Sequence, residues 1–202
     1  MQVTINEERV AEDFSHLRSL EEALVALNER YIPPGQQLFQ VRVNGEFFSE
    51  RYPRESRYME LKEINTLDLK TIPDKEMARV ILTEAVEQAE ILCKGIEKSA
   101  RLFRVAAEDE ANHHFAHVID ALRWLLLTGE TACQVLQVNL KEAVSFKKGQ
   151  QSAFLQGLQE LLHEMVEISE EKDYILLADL MEYELLPMVR EWQQILQNLA
   201  NM

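Results

Sequence analysis

The stretch Glu108–His117 carries the strongest chemical pattern in the sequence. It reads EDEANHHFAH, with Glu110 three residues before His113 and His117 four residues after it. Residues three or four positions apart lie on one side of an α-helix, so this carboxylate and the two imidazoles would stand side by side. Together with Asp120 one turn further on, they predict a surface site for one Zn²⁺ or Ni²⁺, completed by water or a neighbouring chain.

The same Glu-x-x-His spacing recurs at Glu160 and His163. Two such pairs in a helical bundle resemble the ferritin-like di-iron proteins, where they point inward with further glutamates; that resemblance implies an oxygen-handling enzyme. The helical phase argues against it, because the apolar seam of each helix centres on the side away from its Glu-x-x-His pair. The alternative is a solvated polar face whose acidic first turn complements the helix dipole.

A second candidate site is a basic and aromatic patch before residue 60. It consists of Arg51, Tyr52, Arg54, Arg57 and Tyr58. Such a patch would bind an acidic partner or the acidic helices of the same chain, and the alternative is a solvated loop or short helix. Trp124 falls on the outward stripe of its predicted helix, where an exposed indole indicates self-association or a protein partner.

Other catalytic signatures are missing from the sequence. It has no Gly-rich phosphate loop, no Gly-x-Ser-x-Gly elbow and no His-Glu-x-x-His motif. Cys93 and Cys133 lack the Cys-x-x-Cys spacing of a redox motif, and their positions near apolar seams predict buried structural thiols. A disulfide framework of the secreted type is not expected.

The composition constrains the class of partner. The 202 residues include 21 basic and 35 acidic side chains, for a net charge of −14, and 47% of the residues are hydrophobic. The apolar fraction excludes a disordered acidic tail, and the negative charge argues against a nucleic-acid partner. The start of the sequence lacks the pattern of a signal peptide, and its apolar runs are too short for a membrane span. We therefore expect a soluble protein of a bacterial-type cytoplasm.

The residues before Thr71 predict a mixture of strands and helix. The predicted order begins with a strand over Gln2–Asn6, a helix capped by Ser19 and a strand over Gln37–Val43. A hairpin turn at Asn44-Gly45 follows, then a returning strand at Glu46-Phe47-Phe48 and a closing strand over Ile64–Lys70. The strands follow from alternating apolar side chains, and the turn follows from the tolerance of Asn-Gly for positive φ.

This order resembles the small β-grasp sulfur carriers of thiamine and molybdopterin synthesis over about residues 2–71. The resemblance rests on an opening strand, a crossing helix, a strand ending in Val43-Asn44-Gly45-Glu46 and a closing strand. It implies a β-grasp-like fold with a surface used for docking. Those carriers end in a free Gly-Gly tail, whereas this chain runs on through Lys70–Pro73 to residue 202, so no residue of the sulfur chemistry carries over.

The residues after a linker at Pro73 and Asp74 predict four amphipathic helices. They cover about residues 75–104, 108–140, 152–168 and 173–199, with apolar side chains spaced by three and four. Such seams suit antiparallel packing at about 20°. The predicted fold class is α+β: a β-grasp-like domain over residues 1–72, followed by a mostly antiparallel four-helix bundle over residues 73–202.

Two residues bear on the continuity of these helices. Gly129 lies on the seam of the second helix, and the unbroken phase on both sides of it predicts a continuous helix. Pro187 lies inside the fourth helix and removes one backbone hydrogen bond, which predicts a kink near Tyr183.

Together these features favour a non-enzymatic interaction protein, acting as an adaptor or assembly factor without a cofactor. The wide apolar side of the first predicted helix and the outward Trp124 favour a protein partner or a homo-oligomer. The alternative hypothesis is a metal-dependent enzyme, di-iron-like or single-site, that uses Glu110, His113 and His117.

Overall fold

A computed structural model describes residues 1–14, 16–48, 55–139 and 153–202 of the chain. The chain divides into two compact units, Met1–Met77 and Ala78–Met202. The fold class is α+β, with a five-stranded mixed sheet in the first unit followed by helices. The prediction of the α+β class is confirmed at this level.

The first unit contains the sheet. Its elements are β1 (Gln2–Ile5), β2 (Glu8–Val10), α1 (Leu20–Tyr31), β3 (Gln36–Val43), β4 (Glu46–Phe47), α2 (Glu55–Tyr58), a short 3₁₀ helix (Leu61–Glu63) and β5 (Thr66–Pro73). The strand order is β2-β1-β5-β3-β4. The opening strand β1 pairs parallel to the closing strand β5, and the other neighbours are antiparallel.

Local sequence signals place several of these elements. The Ser19 hydroxyl accepts a hydrogen bond from the Glu22 backbone N–H at 3.3 Å, as an N-cap of α1 does. Asn44 and Gly45 have φ values of 53° and 86°, which form the predicted turn between β3 and β4. The Asn44 side chain also accepts hydrogen bonds from the Asn65 and Thr66 backbones, so the turn is tied to the start of β5.

Two features of this unit differ from the prediction. Strand β2 is not predicted by the sequence. The turn before it is formed by Asn6 and Glu7, which have φ values of 50° and 70°. A turn with positive φ is usually recognised by a glycine, and this turn has none. The predicted linker at Pro73 and Asp74 is also wrong. Strand β5 continues through Pro73 by pairing with β3, and the next helix begins at Asp74.

The core of the first unit lies between α1 and the sheet. Leu20 and Leu27 of α1 are fully buried, as is Leu67 of β5. They belong to one cluster with Val3 of β1 and Leu69 of β5, so the parallel central pair of strands supplies the floor of this core.

The second unit consists of the helices. They are α3 (Asp74–Val105, whose first residues belong to the sheet unit), α4 (Glu108–Leu136), α5 (Ala153–Glu171), α6 (Tyr174–Leu180), a π-helical turn (Met181–Leu185) and α7 (Leu186–Ala200). Buried residues from α3 through α7 form a single hydrophobic cluster. No helix in the described part of the chain combines the length and apolar character that crossing a membrane requires.

The continuity predictions are resolved in different ways. Helix α4 runs unbroken through Gly129, as predicted, and ends at Leu136 because Gln137 adopts a left-handed conformation, with φ of 61°. Near Tyr183, where the sequence predicts a kink, the structure has a π-helical turn over Met181–Leu185. Because Pro187 has no N–H to donate to the Tyr183 carbonyl, the regular α-helical bonding cannot continue there.

Candidate functional site

The histidine stripe of α4 faces away from the helical core, as its phase predicts. His113 and His117 are both exposed, and their Nε2 atoms lie 3.2 Å apart. Their rings meet edge to face, with centroids 4.6 Å apart. One imidazole therefore donates a hydrogen bond to the other when both are neutral.

The predicted third ligand does not join this pair. Within the described residues, no three His, Cys, Asp or Glu side chains are grouped so that they could hold a metal ion. Glu110 is exposed one turn before His113 without entering such a group. A three-ligand site made of Glu110, His113 and His117 is therefore not assembled, and what the structure brings together is a two-imidazole pair.

The second Glu-x-x-His pair also faces outward. On α5, Glu160 accepts a hydrogen bond from Gln156 at 2.8 Å, and His163 lies 3.5 Å from Glu167. These contacts run along the surface of one helix. The expectation that Glu160 and His163 lie outside the core is confirmed, because both residues are exposed.

A shallow groove of about 180 Å³ separates α3 from α4 on the same side as His117. Its lining is mainly apolar, with Ile91 and Gly95 from α3 and Ala121 and Trp124 from α4. Gly95 and Ala121 form a low floor because one has no side chain and the other has a single methyl group. Trp124 is 47% exposed and Ile91 is 59% exposed, so two large apolar side chains stand at the groove with much of their surface in water.

The sequence pointed to only part of this groove. The outward position of Trp124 was predicted and is confirmed. Ile91, Gly95 and Ala121 were not singled out. The isolated Gly95 inside a strong helical pattern is a sequence signal for this groove. A glycine inside a helix lowers its stability, so its presence there indicates that another part of the structure or a partner packs closely against it.

His114 lies at the end of the groove and is partly buried. Its Nδ1 atom is buried and has no hydrogen-bond partner among the described residues. Burial lowers the pKa of His114 below its ordinary value, and the positive charge of Lys98 acts in the same direction. Glu110 opposes this effect, while His117 and His113 add to it.

We expect this histidine to make the protein less stable in mild acid. In the unfolded chain His114 binds its proton at about pH 6.5, and in the folded chain it does so only at lower pH. The contribution of neutral His114 to the free energy of unfolding is therefore fully present above about pH 6.5 and is lost as the pH falls below it. Urea unfolding of the wild type and of His114→Gln at about pH 7.5 and about pH 5.5 measures this difference. The wild type should lose more stability on acidification than the variant. Equal losses would contradict the assignment.

The basic and aromatic patch is only partly described. Arg51, Tyr52 and Arg54 lie outside the described residues. The Arg57 Nε atom donates to both carboxylate oxygens of Glu21, at 2.9 and 2.8 Å, so this guanidinium has an acidic partner on α1 of its own unit. Tyr58 is exposed.

The cysteines do not contribute a reactive site. Cys93 and Cys133 are free and buried, as predicted. Burial raises the pKa of both thiols above its ordinary value, which disfavours the nucleophilic thiolate form.

Two family models match the chain. One, described as domain of unknown function DUF8042, matches residues 80–195, and the other, described as domain of unknown function DUF8043, matches residues 2–72. No curated protein and no solved structure matches the chain. The first of the two models covers more than half of the 202 residues, and it falls within the unit that carries the groove.

Proposed function

This chain belongs to the family described as domain of unknown function DUF8042, and we propose that it is a non-enzymatic interaction protein that binds a protein surface in the α3–α4 groove. The observation that carries the proposal is the exposure of Ile91 and Trp124 beside a floor of small residues. Aromatic and aliphatic anchors next to a groove are the typical centre of a protein–protein interface.

The contrast with the surrounding surface supports this proposal. The chain carries a net charge of −14, and the outer faces of α3 and α4 hold many charged residues. Burying Ile91 and Trp124 against a partner removes apolar surface from water, which is favourable by about 25 cal/mol for each Å². Charged residues around them would form the polar rim that limits which partners fit.

Position-specific photo-cross-linking in the native host tests this function. A photo-reactive amino acid at position 91 or 124 should yield covalent adducts with a protein partner. The matched control is position 175, because Ile175 is also a large, exposed apolar residue but lies on α6 outside the groove. Adducts at position 124 should disappear when Ile91→Glu is added. If the groove positions yield no more adduct than position 175, the proposal fails.

The finer architecture is also a proposal. We propose that α3 to α7 form a mostly antiparallel four-helix bundle, with α6, the π-helical turn and α7 counted as one helix. The two-residue connection Ala106–Ala107 supports this, because so short a link makes α3 and α4 antiparallel neighbours. For the sheet unit we propose a β-grasp-like fold, supported by helix α1 crossing between β2 and β3 and by the parallel pairing of β1 with β5.

Two free, buried cysteines support a reducing, cytoplasmic location.

A second candidate function is metal binding at the surface of α4. We propose His113 and His117 as its ligands, because their 3.2 Å Nε2–Nε2 separation is close to the distance of about 3.3 Å between two nitrogens on a tetrahedral zinc ion. A metal-dependent enzyme would need further ligands from water, a substrate or another chain.

Calorimetric titration of the untagged protein with Zn²⁺ or Ni²⁺ tests the metal site. Saturable binding should be lost in His117→Ala and retained in His163→Ala, which removes an exposed histidine from α5. Binding that is absent, or that survives His117→Ala, would overturn this second proposal.

A further inference from the structure

The partner that best fits the groove is a second copy of the same chain. We infer that two copies form a dimer in which α3 of each lies antiparallel in the α3–α4 groove of the other, about a two-fold axis beside Ile91. This inference rests on the proposed function, since it names the protein partner of the same groove.

One stripe of α3 faces the groove. Glu84, Gln88, Ile91, Gly95 and Lys98 are spaced by four, three, four and three residues. At about 100° per residue, all of them fall within about 40° of Glu84 around the helix. The three central members line the groove, and the two charged ends are exposed.

The two charges of this stripe lie symmetrically about Ile91. Glu84 and Lys98 are each seven residues from Ile91 along α3, so they lie about 10 Å from it on opposite sides. A two-fold axis at Ile91 reverses the direction of the second α3. It therefore places Glu84 of each copy opposite Lys98 of the other, and both pairs form at once. This is the self-complementarity that an isologous interface requires.

The charges at the two ends of the stripe are both free to pair across the axis. Two ion pairs lie elsewhere on α3, where Lys94 is 3.7 Å from Glu90 and Glu97 is 3.5 Å from Arg190. Neither Glu84 nor Lys98 takes part in an ion pair with any residue that the structure describes. Parallel packing of two α3 helices would instead set like charges against each other.

The apolar residues fit the same arrangement. Gly95 lies level with Val118 of α4, since a Cβ at position 95 would be 3.6 Å from the Val118 Cγ2 atom. Trp124, six residues further along α4 than Val118, is then level with the part of α3 near Gln88. The two-fold axis brings the region of Gly95 of the second copy to that level. The indole therefore covers backbone that carries no side chain, which allows close approach.

Sedimentation equilibrium of the full chain tests the dimer. The wild type should show a mass of about 47 kDa, twice the 23.5 kDa of one chain. Ile91→Glu should be monomeric, because two carboxylates would meet at the axis. The exposed position of Ile91 lets this variant fold, and circular dichroism checks that it does.

Charge reversal tests the orientation of the two copies. Glu84→Lys and Lys98→Glu should each weaken dimerisation roughly tenfold, because each change turns two facing ion pairs into two repulsions. The double variant Glu84→Lys/Lys98→Glu should regain the wild-type dissociation constant. The control Glu164→Lys, which makes the same change of charge on the exposed surface of α5, should leave it unchanged.

The outcomes separate this inference from the proposed function. A strictly monomeric wild type overturns the two-fold dimer. So does a dimer whose dissociation constant is unchanged by both Ile91→Glu and the charge reversals. If position 124 then cross-links to a different protein, the interaction function stands without the dimer. If position 124 cross-links to nothing, both proposals fail.

Discussion

Trp192→Ala is expected to lower the free energy of unfolding by about 3–5 kcal/mol, the usual cost of removing a large aromatic side chain from a core. Trp192 is 1% exposed, and its ring stacks on Phe154 with the centroids 5.9 Å apart. Its Nε1 atom donates to the Leu125 carbonyl oxygen at 3.3 Å, so the substitution also removes a buried hydrogen bond. Helices α4, α5 and α7 meet at this one side chain.

The chain provides a matched control for this prediction. Trp124→Ala removes the same side chain from a position that is 47% exposed, so its effect on folding should be well below that of Trp192→Ala. Urea unfolding followed by far-ultraviolet circular dichroism measures both variants with one signal that does not depend on tryptophan. Equal losses of stability in the two variants would contradict the packing described for α7. Trp124→Ala should still weaken the proposed dimer.

Gly129→Ala is expected to destabilise the protein by about 1–2 kcal/mol, although alanine is the better helix former. A Cβ at position 129 would lie 2.4 Å from the Trp192 Cζ2 atom and 3.1 Å from the Leu196 Cδ2 atom. Replacing glycine inside a helix normally gains about 1 kcal/mol. Overpacking a tight core costs about 1–3 kcal/mol or more, and the ring has no room to withdraw because it already packs on Phe154. The clash therefore outweighs the gain in propensity.

Gly157→Ala serves as the control for the clash. Gly157 also lies inside a helix, but a Cβ there would be 3.9 Å from the Met188 Cε atom, an ordinary contact. This variant should be neutral or more stable by up to about 1 kcal/mol. In a Trp192→Ala background, Gly129→Ala should lower the free energy of unfolding much less than it does alone, because the Trp192 ring that clashes with the new Cβ has been removed. Additive losses would show that the close contact with Trp192 is not what constrains position 129.

The sequence predicted the parts of the fold that depend on near neighbours in the chain. The Ser19 cap and the Asn44-Gly45 turn each follow from a few adjacent residues, and both are present. The α+β class follows from the change of apolar period near residue 71. Strand β2 was missed because Asn6 and Glu7 adopt positive φ without a glycine, so the local signal is weak.

Pairings between distant residues were not predictable in this way. The parallel pairing of β1 with β5 joins segments more than 60 residues apart, and the sequence of neither strand indicates which strand it pairs with. The sequence places Arg57 in a docking patch, whereas in the folded unit its guanidinium pairs with Glu21 on α1. Likewise, Glu110, His113 and His117 have suitable spacing, but only the two imidazoles come together.

For the candidate site, the helical phase of α4 alone determined that His117 and Trp124 point away from the hydrophobic core of the second unit. The tertiary structure decided that Ile91, on the neighbouring face of α3, is exposed beside them, with Gly95 lining the same groove. The physical reason is that an amphipathic pattern reports which stripe of a helix is most apolar. Whether the adjacent stripe is buried depends on where the other helices lie, and that is decided by the packing of the whole core around residues such as Trp192.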